Sequence, residues 1–97
     1  MHVIARPRLI AFWEKHPDSA GPLQAWFAEA RAATWTCSAD VKERYSTASI
    51  LNSERVVFNI GGNKYRLVVR INYASGTVFV RFVGTHKEYD SIDAEAV

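Results

Sequence analysis

Four residues near the end of the chain carry side chains that together suit chemistry on a phosphate group. Arg81 is followed by His86, Lys87 and Tyr89 in the string VRFVGTHKEYD (80–90). A guanidinium binds phosphate through its forked donors, and an imidazole exchanges protons near neutral pH. These residue types are the inventory for proton transfer next to a phosphate. The alternative is a helix cap whose polar side simply faces water.

The same string indicates how these side chains are held. Thr85 with Glu88 three residues later has the form of a capping box, so a short helix or turn should begin at about His86. His86, Lys87 and Tyr89 would then lie where the preceding strand ends.

A sheet is the element that must position this cluster. Three runs rich in β-branched and aromatic residues are found at 55–60, 64–73 and 77–83. Gly61-Gly62 and Ser75-Gly76 separate them, as in short hairpin loops, so we expect a three-stranded antiparallel meander. With two-residue loops, Phe58 would pair with Tyr65, and Arg70 would lie directly across from Arg81.

Strand alternation then predicts two different faces. The apolar face, which should be the core, comprises Val56, Phe58, Ile60, Tyr65, Leu67, Val69, Ile71, Tyr73, Val78, Val80 and Phe82. The opposite face comprises Val57, Asn59, Lys64, Arg66, Val68, Arg70, Asn72, Phe79, Arg81 and Val83. Four cations without a carboxylate suit an anionic ligand lying across the sheet. Arginine stems packed on apolar neighbours, with their charged heads in water, would give the same pattern.

The charge distribution is uneven although the net charge is only +2. From Arg55 to Lys87 the ionisable residues other than tyrosine and histidine are all basic, and the last ten residues contain Glu88, Asp90, Asp93 and Glu95. This separation favours a nucleic-acid face followed by an acidic tail.

The first half of the chain predicts a helical layer. Apolar residues recur at amphipathic-helix spacing from Leu9 to His16 and from Leu23 to Ala30. Pro17 should end the first helix and Gly21-Pro22 should open the second, so the two would form an antiparallel pair over the apolar sheet face.

Three shorter signals surround these helices. Val3 and Ile4 suit an edge strand, and Pro7 suits the first turn of a helix. Asp40 with Glu43 has the form of a second capping box, which predicts a helical turn over residues 41–45.

Length and composition predict a single domain over residues 1–97. The chain is 48% hydrophobic, which suffices for one modest core. The single cysteine, Cys37, cannot form an internal disulfide, and we expect it to pack in the interior. Without a leader or a long apolar run, we expect a cytoplasmic protein with no membrane association. The three histidines are scattered, so we expect no metal and no cofactor.

Four strings closely resemble the HigB toxin family, a branch of the RelE/ParE-like toxins of bacterial type II toxin-antitoxin systems. They are FWEKHPD (12–18), YSTASIL (45–51), VVFNIGGNKYRLVVRINY (56–73) and VRFVGTHKEYD (80–90). The resemblance implies an α+β, RelE-like fold with two N-terminal helices packed on a curved antiparallel sheet of three to four strands. It also implies an mRNA interferase that acts on ribosome-bound transcripts, and a HigA-like antitoxin partner with a helix-turn-helix domain.

The resemblance places the active site on the concave sheet face and extends to individual residues. The catalytic positions it implies are Arg66, Arg81, His86 and Tyr89, and the RNA-binding positions are Lys64, Arg70 and Lys87. We expect a metal-independent endoribonuclease that uses the substrate 2′-hydroxyl as nucleophile. The arginines would neutralise the phosphate, and His86 would carry protons.

Two other functions remain open from the sequence. One is a non-catalytic RelE/ParE-like toxin, or an RNA- or protein-binding module, that acts on another target such as gyrase. The other is a basic face that only docks an acidic antitoxin segment. A pure binding surface does not need a titratable group beside its arginines, so the His86 to Tyr89 cluster favours catalysis.

Overall fold

A computed structural model describes residues 1–97. The elements in chain order are β1 (His2–Ile4), α1 (Arg6–Lys15), a 3-10 turn (Pro17–Ser19), α2 (Ala20–Ala32), α3 (Ser38–Arg44), β2 (Ser49–Ile50), β3 (Arg55–Ile60), β4 (Tyr65–Asn72), β5 (Thr77–Thr85) and α4 (His86–Asp90). No helix is both long enough and apolar enough to cross a membrane.

The five strands form one mixed sheet in the order β1-β5-β4-β3-β2. The expected α+β class and the edge strand at Val3 and Ile4 are confirmed, but the expected antiparallel sheet of three to four strands is wrong. Strand β1 runs parallel to β5, and β2 adds a fifth strand beside β3. These edge strands have three and two residues, too short for their sequence to show alternation.

One face of the sheet is covered by the helices and forms the core. Trp26 of α2 packs edge-on against Phe58 of β3, with ring centroids 5.4 Å apart. The other buried members of this core are Leu9, Leu23, Ala30, Trp35, Val41, Ala48, Val56, Ile60, Tyr65, Leu67, Val69, Ile71, Val78 and Val80. The predicted apolar face is therefore confirmed, except at Phe82.

The helix boundaries follow local signals in the chain. Pro7 lies in the first turn of α1, as predicted, and the segment His16-Pro17 ends that helix. The predicted capping box at Asp40 and Glu43 is wrong, because the Asp40 carboxylate accepts hydrogen bonds from the backbone N–H and hydroxyl of Thr36, each at 2.8 Å. Helix α3 accordingly begins earlier, at Ser38. The expectation that Cys37 is buried is also wrong, since Cys37 is exposed at the start of α3.

The two hairpin loops are longer than the sequence predicts. Ile60 pairs with Tyr65 and Asn72 pairs with Thr77, so each loop has four residues rather than two. In the first loop three consecutive residues have positive φ, which lets the chain take a wider turn. The register is displaced by two residues, which keeps the side chains of β3 and β4 on their predicted faces because strand alternation has period two.

A β-bulge in β5 changes which residues of that strand face the core. Val69 pairs with Val80 while Val68 pairs with Phe82, so Arg81 is the additional residue. Beyond the bulge the alternation is inverted: Phe82 leaves the core face, and Val83 packs against the core instead.

The bulge and the longer loop also change which residues are neighbours across the strands. Arg70 lies across from Phe79 on one side and Arg55 on the other. The predicted pairing of Arg70 with Arg81 is therefore wrong.

Candidate active site

The sheet face opposite α1 and α2 carries a row of arginines. We call it the basic face, and by strand register it comprises Arg55, Val57, Asn59, Arg66, Val68, Arg70, Asn72, Phe79, Phe82 and Gly84. Arg66 lies near its middle, between Asn59 of β3 and Gly84 of β5. The three arginines therefore share a face on two adjacent strands, β3 and β4.

Arg66 lies over the ring of Tyr89, and a second aromatic ring, that of Phe82, contacts Tyr89. Its guanidinium carbon lies 5.6 Å from the centroid of the Tyr89 ring, and that ring lies 6.4 Å from the ring of Phe82. The Nε of Arg66 is buried without a hydrogen-bond partner. Stacking against an aromatic ring restricts a guanidinium while leaving its donors available to an anion.

Gly84 makes room for this aromatic contact. A Cβ at this position would lie 2.5 Å from Cζ of Phe82 and 3.2 Å from Cβ of Glu88. The ring of Phe82 therefore passes over the backbone at Gly84, which places it beside Tyr89. Strand alternation had predicted Phe82 in the core, and Gly84 was not among the predicted site residues.

The start of α4 is fixed by the predicted capping box, which is confirmed. The Thr85 hydroxyl accepts a hydrogen bond from the Glu88 backbone at 3.2 Å, and the Glu88 carboxylate accepts one from the Thr85 backbone at 2.9 Å. The hydrogen bond from the Thr85 backbone holds the pKa of Glu88 below its ordinary value. This cap sets the position of His86, the first residue of α4.

The imidazole of His86 is directed at the loop between β3 and β4. Its Nε2 contacts the backbone carbonyl oxygen of Asn63 and lies 3.3 Å from the Oδ1 of the same residue. Asn63 was not among the site residues predicted from the sequence. The sequence feature that could have indicated Asn63 is its position after two glycines, in a turn where asparagine commonly adopts a positive φ.

Lys64 does not lie on the basic face, which corrects its predicted placement. It belongs to the loop before β4, and its Nζ is 2.5 Å from the carboxylate of Asp18, between α1 and α2. The Tyr65 hydroxyl donates to the same carboxylate at 2.5 Å. The hydrogen bond with Lys64 is the main reason why the pKa of Asp18 is lowered, and it raises the pKa of Lys64.

The other cations on and around the basic face differ in their partners. Arg70 forms an ion pair with Glu54, with Nε 2.6 Å from the carboxylate. The Nε of Arg81 donates to the backbone carbonyl of Val97 at 3.2 Å, and Arg55 donates to the same carbonyl. Arg66 has no such partner at its guanidinium. Lys87 is exposed on α4.

The concavities of the molecule lie elsewhere. The largest, of about 570 Å³, lies between α2 and α3 and includes Glu29, Trp35 and Arg44 in its lining. Neither Arg66 nor Tyr89 lines any of the three concavities. No group of three or more His, Cys, Asp or Glu side chains is placed to hold a metal ion. The candidate site is therefore a surface of the sheet and not a pocket.

The fold and this surface define a small α+β domain with one helix-covered sheet face and one basic face bordered by a histidine. A family model described as HigB_toxin, RelE-like toxic component of a toxin-antitoxin system, matches residues 19–92. The chain therefore belongs to the HigB toxin family, and the resemblance found in the sequence is confirmed.

Curated relatives agree with this assignment. The "mRNA interferase toxin HigB" of Escherichia coli (strain K12) is 47% identical over 38 residues, which cover 39% of this chain. This chain thus spans only 36% of the length of that relative. The "mRNA interferase HigB" of Escherichia coli O6:H1 (strain CFT073) is 21% identical over 94 residues, which cover 95% of this chain and 91% of the relative.

Proposed function

We propose that this protein is the toxin of a type II toxin-antitoxin system and an mRNA interferase that cuts transcripts on the ribosome. The observation that carries this proposal is Arg66, which is stacked on Tyr89 of α4 with its guanidinium donors unpaired. Membership of the HigB toxin family and the names of the relatives support it.

The proposed reaction is a metal-independent transesterification within the RNA. The 2′-hydroxyl oxygen attacks the adjacent phosphorus and loses its proton, and the bond from phosphorus to the 5′-oxygen breaks. The 5′-oxygen then takes up a proton. The products are a 2′,3′-cyclic phosphate and a 5′-hydroxyl. The protein must hold the phosphate, neutralise the negative charge that develops on its oxygens, and exchange the two protons.

Arg66 is the residue proposed to hold the phosphate. Its guanidinium can donate two parallel hydrogen bonds to phosphate oxygens, and stacking on Tyr89 means that little rotational freedom is lost on binding. Arg81 would join it after releasing the Val97 carbonyl. Tyr89 orients Arg66 and offers a ring on which a base can stack.

His86 is proposed to exchange protons with the substrate, and Lys87 to contact the RNA backbone. Arg70 should contribute less, because Glu54 already compensates part of its charge. Lys64 is paired with Asp18, so an RNA contact from it would require that ion pair to open. The proposed phosphate-binding set therefore centres on Arg66, Arg81 and Lys87.

The ribosome and an antitoxin are the proposed partners. A net charge of +2 supports only weak intrinsic binding to RNA, so a ribosome-bound transcript would supply the positioning that the toxin lacks. A HigA-like antitoxin with a helix-turn-helix domain would silence the enzyme if an acidic segment covered Arg66 and Arg81.

The direct test is single-turnover cleavage of mRNA on programmed ribosomes. Arg66→Ala should lower the rate about a hundredfold or more, because a preorganised donor to the developing charge is removed. Arg31→Ala is the matched control, since Arg31 also lies over an aromatic ring, with its guanidinium 5.8 Å from the Phe27 centroid, but belongs to the helical layer. It should cleave at the wild-type rate.

Two outcomes would count against the proposal. Wild-type rates for both Arg66→Ala and His86→Ala would exclude the site on the basic face. Growth arrest by the wild type with intact mRNA would support the non-catalytic alternative, in which the basic face binds another target.

A further inference from the structure

The contact between His86 and Asn63 specifies where one proton lies. A backbone carbonyl oxygen only accepts hydrogen bonds, so the His86 Nε2 that contacts the Asn63 carbonyl must carry a hydrogen. The Oδ1 of Asn63, 3.3 Å from Nε2, is a second acceptor at the same position. In neutral His86 the proton therefore belongs on Nε2, and the lone pair belongs on Nδ1.

The loop that supplies this acceptor is fixed on both sides. Asn63 has φ 96°, in the left-handed region, and follows Gly61 and Gly62, which also have positive φ. The next residue, Lys64, is tied to Asp18 by the ion pair. The direction of the Asn63 carbonyl is thus determined by the loop and not by the histidine.

The histidine is equally constrained from its own side. The reciprocal hydrogen bonds between Thr85 and Glu88 fix the first turn of α4, where His86 is the first residue. Thr85 also pairs with Tyr65, the residue that follows the loop and donates to Asp18. Two independently anchored segments therefore meet at the contact between His86 and Asn63.

We propose that Asn63 is a positioning residue for His86, which holds the imidazole as the Nε2–H form so that protons are exchanged with RNA through Nδ1. This inference rests on the proposed function. Whichever direction the proton moves, Nε2–H stays bonded to the Asn63 carbonyl, and the charged imidazolium keeps the same contact. The proposed site thereby gains Asn63 as a positioning residue and Nδ1 of His86 as the atom that exchanges protons.

The first experiment observes the imidazole directly and needs no cleavage. Long-range proton–nitrogen NMR on the full chain labelled at histidine should show His86 as the Nε2–H form, with that proton protected from solvent exchange. Finding the hydrogen on Nδ1, or an unprotected Nε2–H, would overturn the proposal. A wild type that cleaves no RNA but shows the protected proton would refute the proposed function and leave the contact established.

The second experiment moves the carbonyl without touching His86. Asn63→Gly keeps a residue that adopts φ 96° freely, whereas Asn63→Ala disfavours that conformation. Asn63→Gly should cleave within about threefold of the wild type and keep the protected proton. Asn63→Ala should lose the protected proton and lower kcat on the order of tenfold to a hundredfold, with KM little changed. Wild-type kcat in Asn63→Ala with the proton signal lost would overturn the positioning role.

A third variant separates the contact from the chemistry. Gln places an amide N–H close to the position of Nε2, so His86→Gln should keep the bond to Asn63 but cannot exchange a proton near neutral pH. Its thermal unfolding should match that of the wild type while kcat falls about a hundredfold or more. His86→Gln with wild-type kcat would overturn the assignment of Nδ1 as the proton-exchanging atom.

Discussion

The guanidinium of Arg66 lies 5.6 Å from the centre of the Tyr89 ring, and this contact joins the middle of the sheet to helix α4. Arg66 belongs to β4 and Tyr89 follows the end of β5, so the two meet only because β5 pairs with β4. Phe82, placed on this face by the bulge, supports the Tyr89 ring. The basic face and the helix with His86 thus form one continuous surface.

The Tyr89 ring, rather than its hydroxyl, should orient Arg66. Tyr89→Phe keeps the ring and should retain single-turnover cleavage close to the wild-type rate. Tyr89→Leu removes the interaction between guanidinium and ring and should lower the rate about three- to thirtyfold. Equal losses in the two variants would show that the hydroxyl is the part that matters.

Gly84→Ala should destabilise the fold. The new methyl group would lie 2.5 Å from Phe82 Cζ, so the ring must move, at a cost of about 1–3 kcal/mol in the free energy of unfolding. Gly21→Ala is the control, because nothing lies within 4 Å of a Cβ there and the site is helical. That variant should stay within about 0.5 kcal/mol of the wild type in urea unfolding, because Gly21 is an exposed residue at the start of α2. A Gly84→Ala protein as stable as the wild type would contradict this packing of Phe82 over Gly84.

The stability of the protein should fall at acid pH partly through Asp18. Hydrogen bonding from Lys64 lowers the pKa of Asp18 from 3.8, so its contribution is present above that value and is lost as pH falls through the lowered pKa. For Lys64 the pKa is raised from 10.5, so the same contact weakens as pH rises through the raised value.

Asp18→Asn should flatten the acid limb of this stability profile. The effect is measured as the free energy of chemical unfolding between about pH 2 and pH 7, the range that covers the titration of carboxylates. Glu14→Gln removes an exposed carboxylate of α1 that forms no ion pair, and it should leave the slope near that of the wild type. An unchanged slope in Asp18→Asn would mean that the ion pair does not contribute.

Glu54→Gln should strengthen binding of RNA. The carboxylate lies 2.6 Å from Arg70, and both side chains are more than 40% exposed, so the ion pair is weak and the affinity gain should be only about two- to fivefold. The salt dependence of binding should become steeper, because Arg70 would contact phosphate with its full charge. Glu43→Gln on α3 is the control for the change in net charge. Equal effects of the two variants would argue against a local role for Glu54.

Short-range patterns in the sequence were sufficient for several features of the site. The spacing of Thr85 and Glu88 predicts the start of α4, and strand alternation separates Arg66 and Arg70 from the core. Both signals act within a few residues, through reciprocal hydrogen bonds or through the pleat of the strand. The residues that carry them needed no distant partner to be identified.

Only the tertiary structure decided the features that depend on distant partners. The bulge at Arg81 inverts the side-chain alternation of β5 and brings Phe82 to Tyr89. No local spacing in the strand sequence marks the inserted residue. The pairing of Lys64 with Asp18 joins residues 46 positions apart. Contacts of this kind arise when helices and strands pack, because side chains are brought together by the fold and not by their spacing along the chain.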